Sequence, residues 1–226
     1  KILIFAIFAM SLDLIFGYTG LLSLGHAAYF GVGGYTAAVL MVDYGIKSFW
    51  MIAPCVILTT ALLAVIFGYI ALRVSGMYFL LVTFALGQLI YALAWKLIWI
   101  TGGSDGFPSI PRPDLSLSWL TWNNTTFCYF IFLAFIICFF LMHRIVNSPF
   151  GDPLQGIREN ESRMHALGYN TWLYKYVAFI ISGVFAGIAG MLFASYNGMV
   201  HPTQAGFSTS SLVWLMVIIG GPGTLW

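Results

Sequence analysis

The chain has 226 residues, 61% of them hydrophobic and only 7% charged, with a formal net charge of +2. A soluble domain carries about 25% charged residues, so this chain cannot cover a water-facing surface. A soluble enzyme, a disordered chain and a nucleic-acid binder are excluded, which leaves an all-α polytopic membrane bundle.

Apolar runs fall at about 1–16, 20–41, 50–72, 77–100, 125–142, 174–197 and 211–226. A crossing takes roughly 20 apolar residues, so about seven spans are expected in a single transmembrane domain. Residue 1 is Lys and the chain stops at Trp226 within a glycine-rich stretch. Both ends therefore read as trimmed, and the first and last runs as short for that reason, with re-entrant placement as their alternative. Period-two alternation is absent, which argues against a β-barrel.

The first unusual segment is Gly17–Gly34, with glycines at 17, 20, 25, 31, 33 and 34 and with Ser23 and His26 among them. Such density does not make a smooth helix. Gly17, Gly20, Ser23, Gly25, His26 and Gly31 are candidates for a broken helix at a pathway or gate. The competing reading is close packing through Ala27/Gly31 and Gly33/Ala37. His26 has no second histidine at ligand spacing, so it is expected to be a satisfied buried side chain and no metal is expected. Asp13, Gln88, Lys96 and Asn197 are the main polar residues within apolar runs. Asp13 and Lys96 are expected near span ends, within reach of water. Cys55, Cys128 and Cys138 are expected as buried small hydrophobes.

Residues 101–124 form the longest outer loop, punctuated by Gly102, Gly103, Gly106, Pro108, Pro111 and Pro113. It is either a plain connector or a docking surface. Trp50, Trp99, Trp119 and Trp122 are expected at outer boundaries.

Segment 143–174 carries four of the nine basic residues, Arg144, Arg158, Arg163 and Lys175 lying in it or at its edge. The positive-inside rule sends it to the cytoplasm together with the turn Arg73–Gly76. Asp152-Pro153 predicts a helix start and Gly168 its stop, giving an amphipathic helix over about 153–167. Lipid, the protein's own bundle or a groove on a cytosolic partner are the three ways to cover its apolar face, the bundle being favoured on these residues alone. In 182–194, Ser182, Ala186, Gly190 and Ala194 form a small-residue stripe beside Gly183 and Gly187. This marks a close helix contact, with a partner in this chain or in a second subunit.

No catalytic constellation is present: there is no H-E-x-x-H, no G-x-S-x-G and no G-K-[ST] of a P-loop. The chain is not expected to be an enzyme, and any ATPase driving it is another subunit.

Several blocks resemble one family, the bacterial branched-chain amino acid ABC permeases. They are Gly17-Tyr-Thr-Gly-Leu-Leu-Ser-Leu-Gly-His-Ala-Ala-Tyr-Phe-Gly31, Arg73-Val-Ser-Gly-Met-Tyr-Phe79, Thr101-Gly-Gly-Ser-Asp-Gly106 and Ile110-Pro-Arg-Pro113, followed by Ser148-Pro-Phe-Gly151, Ile157-Arg-Glu-Asn-Glu161, Ala166-Leu-Gly-Tyr-Asn170 and Gly220-Gly-Pro-Gly-Thr-Leu225. They run in family order from end to end, and the TGGSDG loop is similar to that of the M-type permease subunit. The resemblance implies an inner-membrane importer of leucine, isoleucine and valine. Its partners would be a second homologous permease, two cytosolic ABC ATPases that hold ATP and magnesium, and a periplasmic solute-binding protein. No cofactor is implied for this chain.

The same resemblance implies that segment 151–168 touches the ATPase, through Ile157, Arg158, Glu159, Glu161, Arg163, Ala166 and Gly168. It makes Gly103, Ser104, Asp105 and Arg112 candidate contacts for the binding protein. There are departures from the pattern. Asp152-Pro153 stands where the family often has Arg-Ala, and the family usually continues past Gly-Thr-Leu into another span. Leu12-Asp-Leu-Ile-Phe-Gly-Tyr-Thr-Gly20 is also similar to related urea and amide permeases, which are the alternative substrate reading. An ATP-independent facilitator is the alternative class.

Overall fold

Lipid cannot solvate peptide groups, so apolar runs in a bilayer must bond internally as helices. A computed structural model, which describes residues 1–113 and 124–224, shows helices in each of these runs. The helices are α1 (Ile2–Thr19), α2 (Ala27–Val42), α3 (Phe49–Ala71), α4 (Met77–Lys96), the single turn α5 (Ile98–Thr101), α6 (Asn124–Val146), α7 (Gly151–Ala166), α8 (Thr171–Asn197) and α9 (Phe207–Gly220). Strands β1 (Phe107–Pro108) and β2 (Met199–Val200) pair antiparallel, Phe107 opposite Val200.

Five helices, α1, α3, α4, α6 and α8, are long and apolar enough to cross a membrane. Two of the seven apolar runs give shorter helices, the 16 residues of α2 and the 14 of α9. Run 20–41 splits because Gly20 adopts a left-handed conformation (φ 72°) and ends α1, after which residues 21–25 run without helix.

The centre of the bundle is α1, α2 and α8, with α3 against α8 and α2. Phe8 and Phe30 meet at 4.6 Å between ring centres, and Phe193 joins Phe30 at 5.4 Å. The closest approach is made by glycines. Gly33 of α2 lies on the backbone of Gly187, Gly190 lies on the Phe30 carbonyl, and Gly183 faces Ala64 and Tyr29. Without side chains the two backbones come into direct van der Waals contact. The small-residue stripe Ser182, Gly183, Ala186, Gly187 and Gly190 therefore finds its partners, α2 and α3, within this chain. Ser182 also donates its hydroxyl to the Ser11 carbonyl of α1.

Three expectations are corrected. Cys55 and Cys128 lie on the bundle's outer face, and only Cys138 is buried. A thiol suits lipid as well as core, and hydropathy does not separate the two. Asp13 does not reach water: it is 4% exposed, and its Oδ1 accepts the Gly223 amide at 2.8 Å. Asp152 makes no capping bond. Instead, α7 starts at Gly151, where a Cβ would collide with the Val146 carbonyl. Trp50 and Trp99 are exposed at the ends of α3 and α5, as boundary aromatics should be, whereas Trp119 and Trp122 lie outside the described residues.

Candidate translocation and coupling site

The Gly17–Gly34 segment is both broken and closely packed. After Gly20 the chain turns back along α1. His26, the residue before α2, places Nε2 2.8 Å from Ser11 Oγ. Ser11 lies nine residues before Gly20 on α1, so the return covers about 14 Å of depth at 1.5 Å per residue. The returning backbone is protected on α4: the Leu24 amide donates to Thr83 Oγ1 at 3.3 Å, and Gly25 and Gly87 touch backbone to backbone. Irregular backbone at membrane depth survives only where protein covers it in this way. Gly25 has no alternative residue here, because a Cβ would enter the Thr83 carbonyl.

A second segment does the same in the opposite direction. After Asn197, Gly198 (φ 70°) closes α8, and residues 199–206 turn inward. Ala205 comes to rest against Gly31. Helix α9 then starts beside the start of α2, where Ser210 Oγ accepts the Ala27 amide at 3.0 Å. Two half-length helices thus begin at one depth and leave toward opposite faces. Sequence reasoning identified the first break from its glycines. It missed the second, whose only signals are Pro202, Gly206 and the polar run Ser208–Ser211.

Polar groups collect around this meeting point. Ser11 donates to the Phe8 carbonyl at 2.6 Å. Its single proton is thereby used, so His26 Nε2 must be the donor in their mutual bond. His26 Nδ1, Ser23 Oγ and Tyr29 OH are buried with no hydrogen-bond partner. His26 is therefore only half satisfied. Ser23 and Tyr29 line a small void with Thr83 and Phe179 that is too tight for a water. Of the six candidate pathway residues, Gly17 and Gly20 instead lie at the end of α1 next to α7, and Gly31 packs on Ala205.

The face that carries α7 gathers the charged groups. A polar crevice of about 400 Å³ there is lined by residues that include Gly20, Arg73, Arg158, Glu161, Trp172 and Lys175. The turn Arg73–Gly76 thus shares a face with α7. Lys175 pairs with Glu161 at 2.5 Å. Helix α7 is divided in two: Asn160 leaves helical geometry (φ −158°, ψ 97°), and its Oδ1 accepts the Arg163 amide at 3.0 Å. In the first half Pro153, Leu154 and Ile157 are buried against the bundle. In the second half Glu161, Arg163 and Ala166 are exposed, and the connection beyond, through Gly168, is exposed as well. Gly168 (φ 90°) ends the helix, as its sequence position suggested.

On the opposite face, the T-G-G-S-D-G block is a tight turn. Gly102, Gly103 and Gly106 all have positive φ, and Cβ atoms at Gly102 and Gly106 would strike the carbonyls of Gly106 and Val200. His201 Nε2 lies 2.8 Å from the Ser104 carbonyl and ties the turn to the α8–α9 connection. Gly103 is buried and Ser104 and Asp105 are exposed. Arg112 lies over the Phe127 ring, 5.3 Å from its centre.

A family model described as "Branched-chain amino acid transport system / permease component" matches residues 1–226. The chain belongs to this permease family. It is 32% identical to the high-affinity branched-chain amino acid transport system permease protein LivM of Salmonella typhimurium, over 98% of this chain and 57% of that protein. The LivM protein of Escherichia coli K12 gives the same figures. A probable branched-chain amino acid transport permease protein LivM of Methanocaldococcus jannaschii is 24% identical over 97% of this chain and 73% of its own length. The chain therefore spans little more than half the length of the first two relatives. No solved structure matches it. With its long apolar helices, this permease-family chain is a multi-pass membrane protein.

Proposed function

We propose that the chain is a membrane-spanning permease subunit of an ATP-driven importer that carries branched-chain amino acids across the bacterial inner membrane. The observation that carries this reading is the family match over the whole described sequence. The importer would pair this chain with a second permease and two separate ATPase subunits, and a periplasmic binding protein would deliver the solute. In this reading α7 faces the cytoplasm and the turn at 101–106 faces the binding protein.

Seven crossings fit the chain path. Five are helical throughout, and two combine a half without α-helix with a half-helix, at 20–42 and 198–224. Discontinuous elements of this kind place backbone and helix ends at mid-membrane, where polar solute groups pass. Polar residues on α4 and α9 support a pathway between them: Ser208 is exposed and Gln88 and Ser211 are half-buried, and Phe84 of α4 meets Phe207 at the start of α9. The permease would form no covalent bond with its solute. It would alternate between two packings biased by ATP and by the loaded binding protein.

The test is a mild-detergent purification of the tagged full-length chain from its native membrane, with ATPase assay and identification of co-purifying proteins. Recovery of a second permease and ATPase subunits is the expected result. Recovery of this chain alone, with solute flux into ATP-free liposomes, would replace the proposal with a facilitator.

A further inference from the structure

Two helices end together at the α7 face, and neither ends with a basic residue of its own. The last turns of α1 and α9 contain no Lys, Arg or His. A helix C-terminus leaves carbonyls without partners and carries partial negative charge. At the end of α1, the Gly20 and Leu21 amides take the carbonyls of Phe16 and Ile15. The Gly17 carbonyl is taken by Arg158 Nη1, which reaches it from α7, 141 residues away. The stem of Arg158 lies on Gly20, its Cγ 3.4 Å from where a Cβ would stand. The same guanidinium borders the turn that follows α9. A Cβ built on Gly223 would stand 2.9 Å from Nη1, and the left-handed backbone there (φ 88°) favours glycine in its own right. Asp13 of α1 accepts the Gly223 amide and holds that turn in place.

We infer that Arg158 caps α1 and at the same time packs against the turn that follows α9, and that it thereby positions both discontinuous elements relative to α7. The inference rests on the reading of this chain as an ATPase-driven permease. Residues 20–26 hang from the end of α1, and α9 runs back from Gly223 to the meeting point at Ala27 and Ser210. One side chain therefore touches the roots of both segments that converge at mid-depth. Displacing the first half of α7 withdraws the arginine from the end of α1 and from the turn after α9 at once. The two halves of α7 divide the work at Asn160. The first half buries Ile157 and reaches the bundle through the Arg158 guanidinium, the rest of that arginine being exposed. The second half and the turn after it expose Arg163, Leu167 and Tyr169 to a partner. Arg158 in this account is a positioning residue within the permease.

The test uses the full-length chain in its complex and compares Arg158→Gln and Arg158→Lys with the double variant Arg163→Ala/Leu167→Ala. Although the family resemblance counts Arg158 among the ATPase contacts, its guanidinium is turned to the Gly17 carbonyl, so Arg158→Gln is expected to retain the ATPase subunits. Its solute transport should fall about 5- to 150-fold, the range of ordinary coupling between sites. Arg158→Lys should recover most of that loss, because a single carbonyl accepts from an ammonium as well. The double variant should lose the ATPase subunits.

Unchanged transport in Arg158→Gln would overturn the inference. So would loss of the ATPase subunits from that variant, which would make Arg158 a docking residue, and so would a folded Arg158→Lys no better than Gln. Amide hydrogen exchange gives a readout that needs no ATPase. In Arg158→Gln, exchange should accelerate at both 17–22 and 220–224, and acceleration at neither or only one would refute a contact shared by the two segments. If the wild-type chain recovers no ATPase, the importer reading fails by itself and the exchange result still decides the shared contact.

Discussion

Gly33→Ala should unfold the bundle's centre more readily than Gly34→Ala, its neighbour on the same helix. Both substitutions gain about 1 kcal/mol of helix propensity, so that term cancels. They differ in what the new methyl meets. At Gly33 it would stand 2.6 Å from Gly187 Cα and 2.7 Å from its carbonyl carbon, with the carbonyl oxygen nearer still. Ordinary carbon contacts lie at about 3.5–4.0 Å, so α2 and α8 would have to part by about 1 Å. No side chain on α8 can rotate away, because the obstacle is backbone. At Gly34 the nearest atom is the Gly190 carbonyl oxygen at 3.3 Å, and a shift of a few tenths of an ångström relieves it. Overpacking of this kind costs about 1–3 kcal/mol. Gly33→Ala should therefore be about 2 kcal/mol less stable than Gly34→Ala. Cys138, 5% exposed, supplies the assay. With every other cysteine of the full-length chain replaced by serine, a thiol-reactive dye reports unfolding in detergent. Equal midpoints for the two variants would refute the direct backbone contact between α2 and α8.

Three further outcomes are expected. Ser11→Ala should lower stability by about 1–3 kcal/mol, because it leaves the buried His26 Nε2–H without an acceptor; an unchanged unfolding midpoint would mean His26 is satisfied elsewhere. Asp13→Asn should keep a carbonyl for the Gly223 amide, whereas Asp13→Leu should not, so hydrogen exchange at Gly223 should speed up only in the leucine variant. The Lys175–Glu161 pair has side chains 12% and 49% exposed, and a double-mutant cycle should return less than about 1 kcal/mol, falling as salt is added; a larger, salt-independent value would show a buried interaction.

Much of the architecture was legible because lipid imposes a plain rule on sequence. The apolar runs beginning near residues 50, 77, 125 and 174 became α3, α4, α6 and α8 with small shifts at their ends. The glycines of 17–34 announced a break, and those of 182–194 a close contact, since both depend on the missing Cβ. The start of α2 was not legible. Leu21, Leu22 and Leu24 are as apolar as any helix interior, and what straightens them is the protection that α4 gives through Thr83 and Gly87. The start of α9 at Phe207 rather than at 211 follows from Ser210 meeting Ala27, a contact 183 residues long in sequence. The division of α7 at Asn160 was hidden for a similar reason. Leu154, Ile157, Met164 and Leu167 keep helical spacing across a residue that is not helical.

The sequence by itself determined that this is an α-helical membrane chain with one charged, amphipathic helix, and its ordered motifs determined the family. Composition, span length and the absence of period-two alternation suffice for the first, because lipid admits only helices and closed barrels. The tertiary structure decided which apolar faces meet. In water a core face differs from a surface face by polarity, but in lipid both are apolar, so periodicity carries little information about neighbours. That α1, α2 and α8 form the centre, that two half-helices begin side by side, and that Arg158 closes the end of a helix 141 residues away are consequences of packing and hydrogen bonding between distant segments.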